Sequence, residues 1–205
     1  EGDKALLGLK EVLRVRSREL LPYLIPRLLQ LSGEMEIKNA VTLAAVIEAT
    51  GGTIQTHLAS IVPVVTEALS ELNEEEEAQE KVEALRGIIK SLCVNIDTEG
   101  VNMLVSELAK KVGHDKAPVR KAAVWCCTCF CTERKDQGDF SEQLPILLRE
   151  ILSRLNDDNE DVLAANGLAL KAVMTCVPAD ELVHHLDFCR NLINSLVSES
   201  RRKKG

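Results

Sequence analysis

Apolar residues along this 205-residue chain recur at the three- and four-residue spacing of amphipathic helices. A proline-bearing form of this pattern returns at intervals of about forty residues, in segments 20–29, 61–69 and 144–152. The intervening sequence continues the helical pattern. Such a period predicts an all-α chain built from repeated pairs of antiparallel helices.

Helix boundaries follow from capping residues and helix breakers. Ser17 can cap a helix, Ser32-Gly33 and Gly51-Gly52 can end one, and Pro118 suits a first helical turn. We therefore expect helix pairs at approximately 17–50, 54–94, 97–132 and 140–177, partial repeats at 5–14 and 180–199, and a basic tail at 200–205.

A short motif indicates the class of repeat. Asp115 is followed by Val119-Arg120 and then by alanines, and the Asp-to-Val step returns from Asp158 to Val162. This is the pattern of HEAT repeats, in which the acidic and basic residues of successive repeats can bond along the inner turns and satisfy helix-end groups. The sequence thus predicts a right-handed HEAT-repeat α-solenoid over 1–205, with about four complete repeats.

Composition narrows the function classes. Hydrophobic residues make up 45% of the chain but aromatics only 2%, so the core must come from aliphatic side chains. Lysine and arginine number 25 against 32 acidic residues, a net charge of -7, which argues against a general or sequence-specific nucleic-acid binder. No apolar run approaches the roughly 18 residues of a membrane span, so we expect no membrane association.

The cysteines do not form the pattern of an active site or a metal site. Four of the seven cysteines lie in 126–131, where neighbours such as Cys126 and Cys127 point about 100° apart on a helix and cannot converge on one zinc ion. We interpret them as buried, reduced thiols of a cytoplasmic protein. A catalytic Cys129 or Cys131 stays open as an alternative, although both lie within a helix rather than at its start. We predict no metal, no cofactor and no enzymatic activity.

Candidate partner-binding residues are the basic side chains of the second helices, which usually line the concave side of such arrays. For Arg120 and Lys38 a structural ladder is the favoured interpretation, and the others are ordinary exposed charges unless they align in space. The set comprises Lys38, Arg86, Lys90, Arg120, Lys121 and Lys171.

An ordered set of segments carries a family resemblance: Ala5 to Val12, Ser17 to Leu28, His57 to Leu69, Arg120 to Ala123, Asp139 to Leu144, and Leu155 to Leu170. Together they resemble the C-terminal half of the general control kinase activators, very large ribosome-associated HEAT proteins. The glutamate run from Glu74 and the cysteine-rich helix depart from that family.

The resemblance implies a non-enzymatic, cytoplasmic scaffold. Such a protein would bind ribosomes, and with them other translation factors, and would dock the RWD domain of the starvation-responsive kinase that phosphorylates the alpha subunit of translation initiation factor two. A HEAT adaptor of another class, such as a nuclear transport receptor or a phosphatase scaffold, stays open as the alternative. It would carry recurrent acidic or Trp-Asn concave positions, and only Trp125 and Asn166 come near to this pattern.

Overall fold

The computed structural model describes residues 2–29, 35–72, 76–135 and 140–203, and every regular element within these ranges is a helix. Short 3-10 turns at Gly51–His57 and Ser141–Gln143 precede the third and seventh α-helices. The all-α prediction is confirmed. The helices are α1 Gly2–Leu29, α2 Ile37–Thr50, α3 Leu58–Ser70, α4 Glu76–Asn95, α5 Thr98–Val112, α6 Ala117–Arg134, α7 Leu144–Ser153, α8 Glu160–Thr175 and α9 Leu182–Lys203.

Three helix starts differ from the expected positions. Ser17 does not cap a separate helix, because α1 continues through it with a kink at Arg16, whose φ of -113° and ψ of 22° are non-helical. The α-helical starts of α3 and α7 come later than the pattern suggests, since a 3-10 turn forms the first winding of each. The expected break at Ser32-Gly33, the glutamates Glu74 and Glu75, and the last residues of the basic tail lie outside the described residues.

The chain forms two compact units, Glu1–Glu107 and Leu108–Gly205. The first, which we call unit 1, is organised around the packing of α2 against α4, with α1 against α2 and α3 against α4. Its core is aliphatic, as the composition suggests, and includes the fully buried Leu43, Ile47, Ile61 and Leu85. The prediction of one continuous array over 1–205 stays a prediction.

The second unit, unit 2, repeats this organisation with α6 packed against α8, and α7 against both α8 and α9. Phe130 of α6 is fully buried and meets Phe140 edge to face, with ring centroids 5.2 Å apart. Aliphatic residues complete the core, among them Val124, Leu148 and Val162. Because α6 and α8 stack, the turns that precede them meet at one end of the pair, where the polar site of unit 2 lies.

Candidate functional site

A buried arginine joins the turns before α6 and α8. Arg120 of α6 is only 7% exposed. Its Nε donates to Asp157 Oδ2 at 2.8 Å and its Nη2 to Asp157 Oδ1 at 2.7 Å, a bidentate pair between residues 37 positions apart. The Asp157 side chain is 1% exposed. The ladder interpretation of Arg120 is therefore confirmed at this step.

The same guanidinium also closes its own turn. Its Nη1 donates to the carbonyl oxygens of His114 at 3.1 Å and Asp115 at 2.8 Å. These carbonyls face the start of α6, and their burial without donors would be costly. One side chain thus satisfies groups in two successive turns.

Asp157 is held from both sides. Its Oδ1 also accepts the backbone N–H of Asn159 at 3.1 Å, and Asn159 in turn caps α8 by accepting from the N–H groups of Asp161 and Val162. The hydrogen bond from Arg120 lowers the pKa of Asp157, although burial of the carboxylate opposes this effect. The same bond raises the pKa of Arg120.

The Asp158 of the motif also contacts Arg120, but the buried partner is the residue before it. The Asp-to-Val spacing indicates Asp158 as the partner of Arg120, and Asp158 Oδ1 does lie 3.1 Å from Nη2. However, the Asp158 side chain is 93% exposed, whereas Asp157 takes the buried bidentate position. Helical spacing identifies the turn, but it does not identify which of two adjacent carboxylates points inward.

Lys121, the neighbour of Arg120, has an exposed counterpart of the same contact. Its Nζ lies 3.0 Å from Asp161 Oδ2, and the two side chains are 48% and 68% exposed. Water competes strongly for such a pair, so it contributes little to stability. Lys121 therefore stays available to a partner in a way that Arg120 does not.

The other basic candidates lie on the second helices as expected, but in different units. In unit 1, Lys38 of α2 and Lys90 of α4 are exposed. Arg86 of α4 is half-buried, with Nη1 3.0 Å from Glu83 Oε1. In unit 2, Lys171 of α8 is exposed. The ladder interpretation of Lys38 stays a prediction.

A concave pocket of about 500 Å³ lies beside the Arg120–Asp157 contact and is lined by the turns before α6 and α8. Arg154, which follows α7, lines it and was not identified from the sequence. Its Nε is buried and has no hydrogen-bond partner among the residues that the structure describes. No motif marks this position, because only the meeting of the two turns brings Arg154 beside Gly113.

The cysteine-rich helix does not have the properties of a catalytic thiol site. Burial raises the pKa of Cys126 well above its usual range and, with the charge of Glu150, raises the pKa of Cys127 to about 12. For Cys131, a hydrogen bond with Cys176 and burial both raise the pKa. A cysteine that acts as a catalytic nucleophile at neutral pH requires the opposite shift. Across the described ranges, no group of three or more His, Cys, Asp or Glu residues could hold a metal ion.

Asn166 and Trp125 bear on the alternative that the chain is a HEAT adaptor of another class. Asn166 is buried, and its Nδ2 donates to the Ile151 carbonyl at 2.9 Å, so it is not presented to a partner as a Trp-Asn surface pattern would require. Trp125 is half-buried on α6. As for membranes, no helix in the part of the chain that the structure describes is long and apolar enough to cross one.

Stacked helix pairs of this length, joined between successive turns by an Asp-Arg contact, define a HEAT-repeat protein. The comparison with family models agrees: the model described as stalled ribosome sensor GCN1-like HEAT repeats matches residues 20–205. The chain belongs to this GCN1-like HEAT-repeat family, and the resemblance inferred from the sequence is confirmed.

Similar curated proteins are far longer than this chain. Protein ILITYHIA of Arabidopsis thaliana is 30% identical over 202 residues, which is 98% of this chain but 7% of that protein. The stalled ribosome sensor GCN1 of Mus musculus is 30% identical over 172 residues, or 84% of this chain and 6% of that protein. The eIF-2-alpha kinase activator GCN1 of Saccharomyces cerevisiae is 27% identical over 174 residues, again 84% and 6%. No solved structure matches the chain.

Proposed function

We propose that this chain is a non-enzymatic scaffold segment of a cytoplasmic translational-control protein. In this proposal it binds ribosomes and helps to dock and activate the starvation-responsive kinase of initiation factor two alpha. The family match over residues 20–205 carries the proposal. The relatives' names, stalled ribosome sensor and eIF-2-alpha kinase activator, support its two activities.

We propose that each unit has its own docking surface, made of exposed cations on its second helices. These cations are Lys38 and Lys90 in unit 1, and Lys121 and Lys171 in unit 2. We leave out Arg120, because its guanidinium is already bonded within the protein. With a net charge of -7, these lysines suit an acidic protein surface better than bulk RNA.

The proposed binding to the kinase can be tested by a titration. The 205-residue chain is titrated against the isolated RWD domain of the cognate kinase at two salt concentrations. We expect saturable binding that weakens with salt, because exposed charges are screened. We expect Lys90→Ala and Lys171→Ala to weaken binding without lowering the melting temperature. Arg149→Ala is the matched control, since Arg149 is an exposed cation on α7, which is the first helix of its repeat.

Absence of binding by a folded, helical chain would contradict the proposed binding to the kinase, as would an equal loss of affinity from Arg149→Ala. The proposed binding to ribosomes is tested separately, by co-sedimentation of the chain with purified ribosomes. Failure of the chain to sediment with ribosomes would contradict ribosome binding but not kinase binding.

A further inference from the structure

Two cysteines of successive second helices are in contact in unit 2. Cys131 lies in the last turn of α6, and Cys176 directly follows α8. The Sγ of Cys176 donates to the carbonyl oxygen of Cys131 at 3.4 Å and to that of Ala172 at 3.3 Å. Interaction with the Cys176 side chain also raises the pKa of the Cys131 thiol. The Cys176 thiol therefore contacts Cys131, although the two residues are 45 positions apart in sequence.

The two cysteines differ in accessibility. None of the seven cysteines, all of which lie in the described part of the chain, is in a disulfide, and six of them, including Cys131, are buried. Cys176 is the exception, being half-buried. A small reagent should therefore reach Cys176 before it reaches any other thiol. Since Cys131 already contacts Cys176, the second thiol of a disulfide stands beside the first.

We propose that Cys176 and Cys131 form a reversible disulfide when the protein meets a low-molecular-weight disulfide such as oxidised glutathione. The Cys176 thiolate attacks one sulfur of the reagent and forms a mixed disulfide, releasing one glutathione thiolate, which takes up a proton. Cys131 then loses its proton and attacks the Cys176 sulfur, and the second glutathione leaves as a thiol. Two protein thiols are oxidised and one glutathione disulfide is reduced to two thiols.

The bond would join α6 and α8 at the ends opposite to the Arg120–Asp157 contact. The stacked pair would then be tied at both ends, so we expect the oxidised protein to melt at a higher temperature and a reductant to reverse the shift. Because the Cys176 side chain and burial raise the pKa of Cys131, its thiolate is scarce at neutral pH, so we expect the second step to be slow and to accelerate with rising pH.

The test is incubation of the folded 205-residue chain with oxidised glutathione, followed by alkylation, digestion without reductant and mass spectrometry. We expect a linked peptide pair containing Cys131 and Cys176, with the loss of two hydrogen atoms. Cys176→Ser should abolish the link, whereas Cys129→Ala, a change at a buried cysteine of the same helix, should leave it. Cys131→Ala should stop the reaction at the Cys176–glutathione mixed disulfide.

Three results would overturn the proposal. The first is a wild-type chain in which Cys176 stays a free thiol under conditions that oxidise an unfolded control. The second is a wild-type chain that stops at the mixed disulfide. The third is a link between another pair of cysteines that persists in Cys176→Ser. Since Cys176 is half-buried, the Cys176→Ser variant is expected to fold even where a change at Cys131 impairs folding.

Discussion

In each unit, two second helices from successive repeats pack against each other, α2 with α4 and α6 with α8. Their polar contacts differ in environment. In unit 1, Ser91 of α4 donates to Oε1 of Glu48 of α2 at 3.2 Å, and Glu48 is exposed. In unit 2, Arg120 and Asp157 are buried against each other. Removal of Glu48 from the first contact leaves only a neutral hydroxyl without its acceptor, whereas removal of either residue from the second leaves a buried charge without its bidentate partner.

The two units therefore share the packing that holds their helices together but differ in how the turns before the helices are fixed. Apolar packing holds both helix pairs together, since most of their buried residues are apolar. In unit 2, Arg120 also holds two turns in place and donates hydrogen bonds to backbone carbonyls, which apolar packing cannot do.

Arg120→Ala should have the largest effect. It leaves the buried Asp157 carboxylate without its ion-pair partner, with the Asn159 N–H as a donor, and it removes the donor to two turn carbonyls. We therefore expect a loss of about 3 kcal/mol in the free energy of unfolding. Urea denaturation followed by circular dichroism measures this loss. A loss below about 1 kcal/mol would place the pair with ordinary surface contacts. Arg120→Lys should recover only part of the stability, because lysine cannot form the bidentate contact.

Gly100→Ala probes a tight contact in unit 1 that involves no charge. A Cβ at Gly100 would lie 2.8 Å from Gln55 Oε1 and from Ile96 Cβ, so a neighbour would have to move. We expect a loss of about 2 kcal/mol from this overpacking. Gly87→Ala in α4 is the control, because a Cβ there meets nothing within 4 Å and alanine favours a helix. Equal stabilities for the two variants would contradict the contact at Gly100.

The pH dependence of unit 2 should reflect Asp157. Because the pKa of Asp157 is lower in the folded protein, the ionised carboxylate stabilises the fold at pH values above its unfolded pKa of about 3.9. As the pH falls below that value, the unfolded chain binds the proton first, and the contribution is lost as the pH passes through the folded pKa. Urea denaturation between neutral and strongly acidic pH should show this loss, and Asp157→Asn should remove that part of the dependence. An unchanged pH profile in Asp157→Asn would contradict the assignment.

Lys121→Ala should have the smallest effect. Its pair with Asp161 is open to solvent, so we expect a change below about 0.5 kcal/mol. The measurement is the same urea denaturation. A loss comparable to that of Arg120→Ala would show that burial does not distinguish the two adjacent contacts.

Much of this arrangement follows from local pattern. The start of α5 close to residue 97, the place of Pro118 in the first turn of α6, and the bonding of Arg120 to the next repeat were predicted from spacing and caps. The choice of Asp157 over Asp158, the free Nε of Arg154 and the contact of Cys131 with Cys176 were not. Each depends on how two turns or two helix ends meet in space, and residues 37 to 45 positions apart leave no local signal of that meeting.

The most direct test of the account is a pair of double-mutant cycles, one on Arg120 and Asp157 and one on Lys121 and Asp161. Both contacts join the start of α6 to the start of α8 or the turn before it, so they differ chiefly in burial. We expect a coupling energy of about 2 kcal/mol or more for the buried pair and below about 0.5 kcal/mol for the exposed pair. Equal coupling energies would contradict the claim that burial makes the Arg120–Asp157 contact, and not the Lys121–Asp161 contact, the one that organises the repeat.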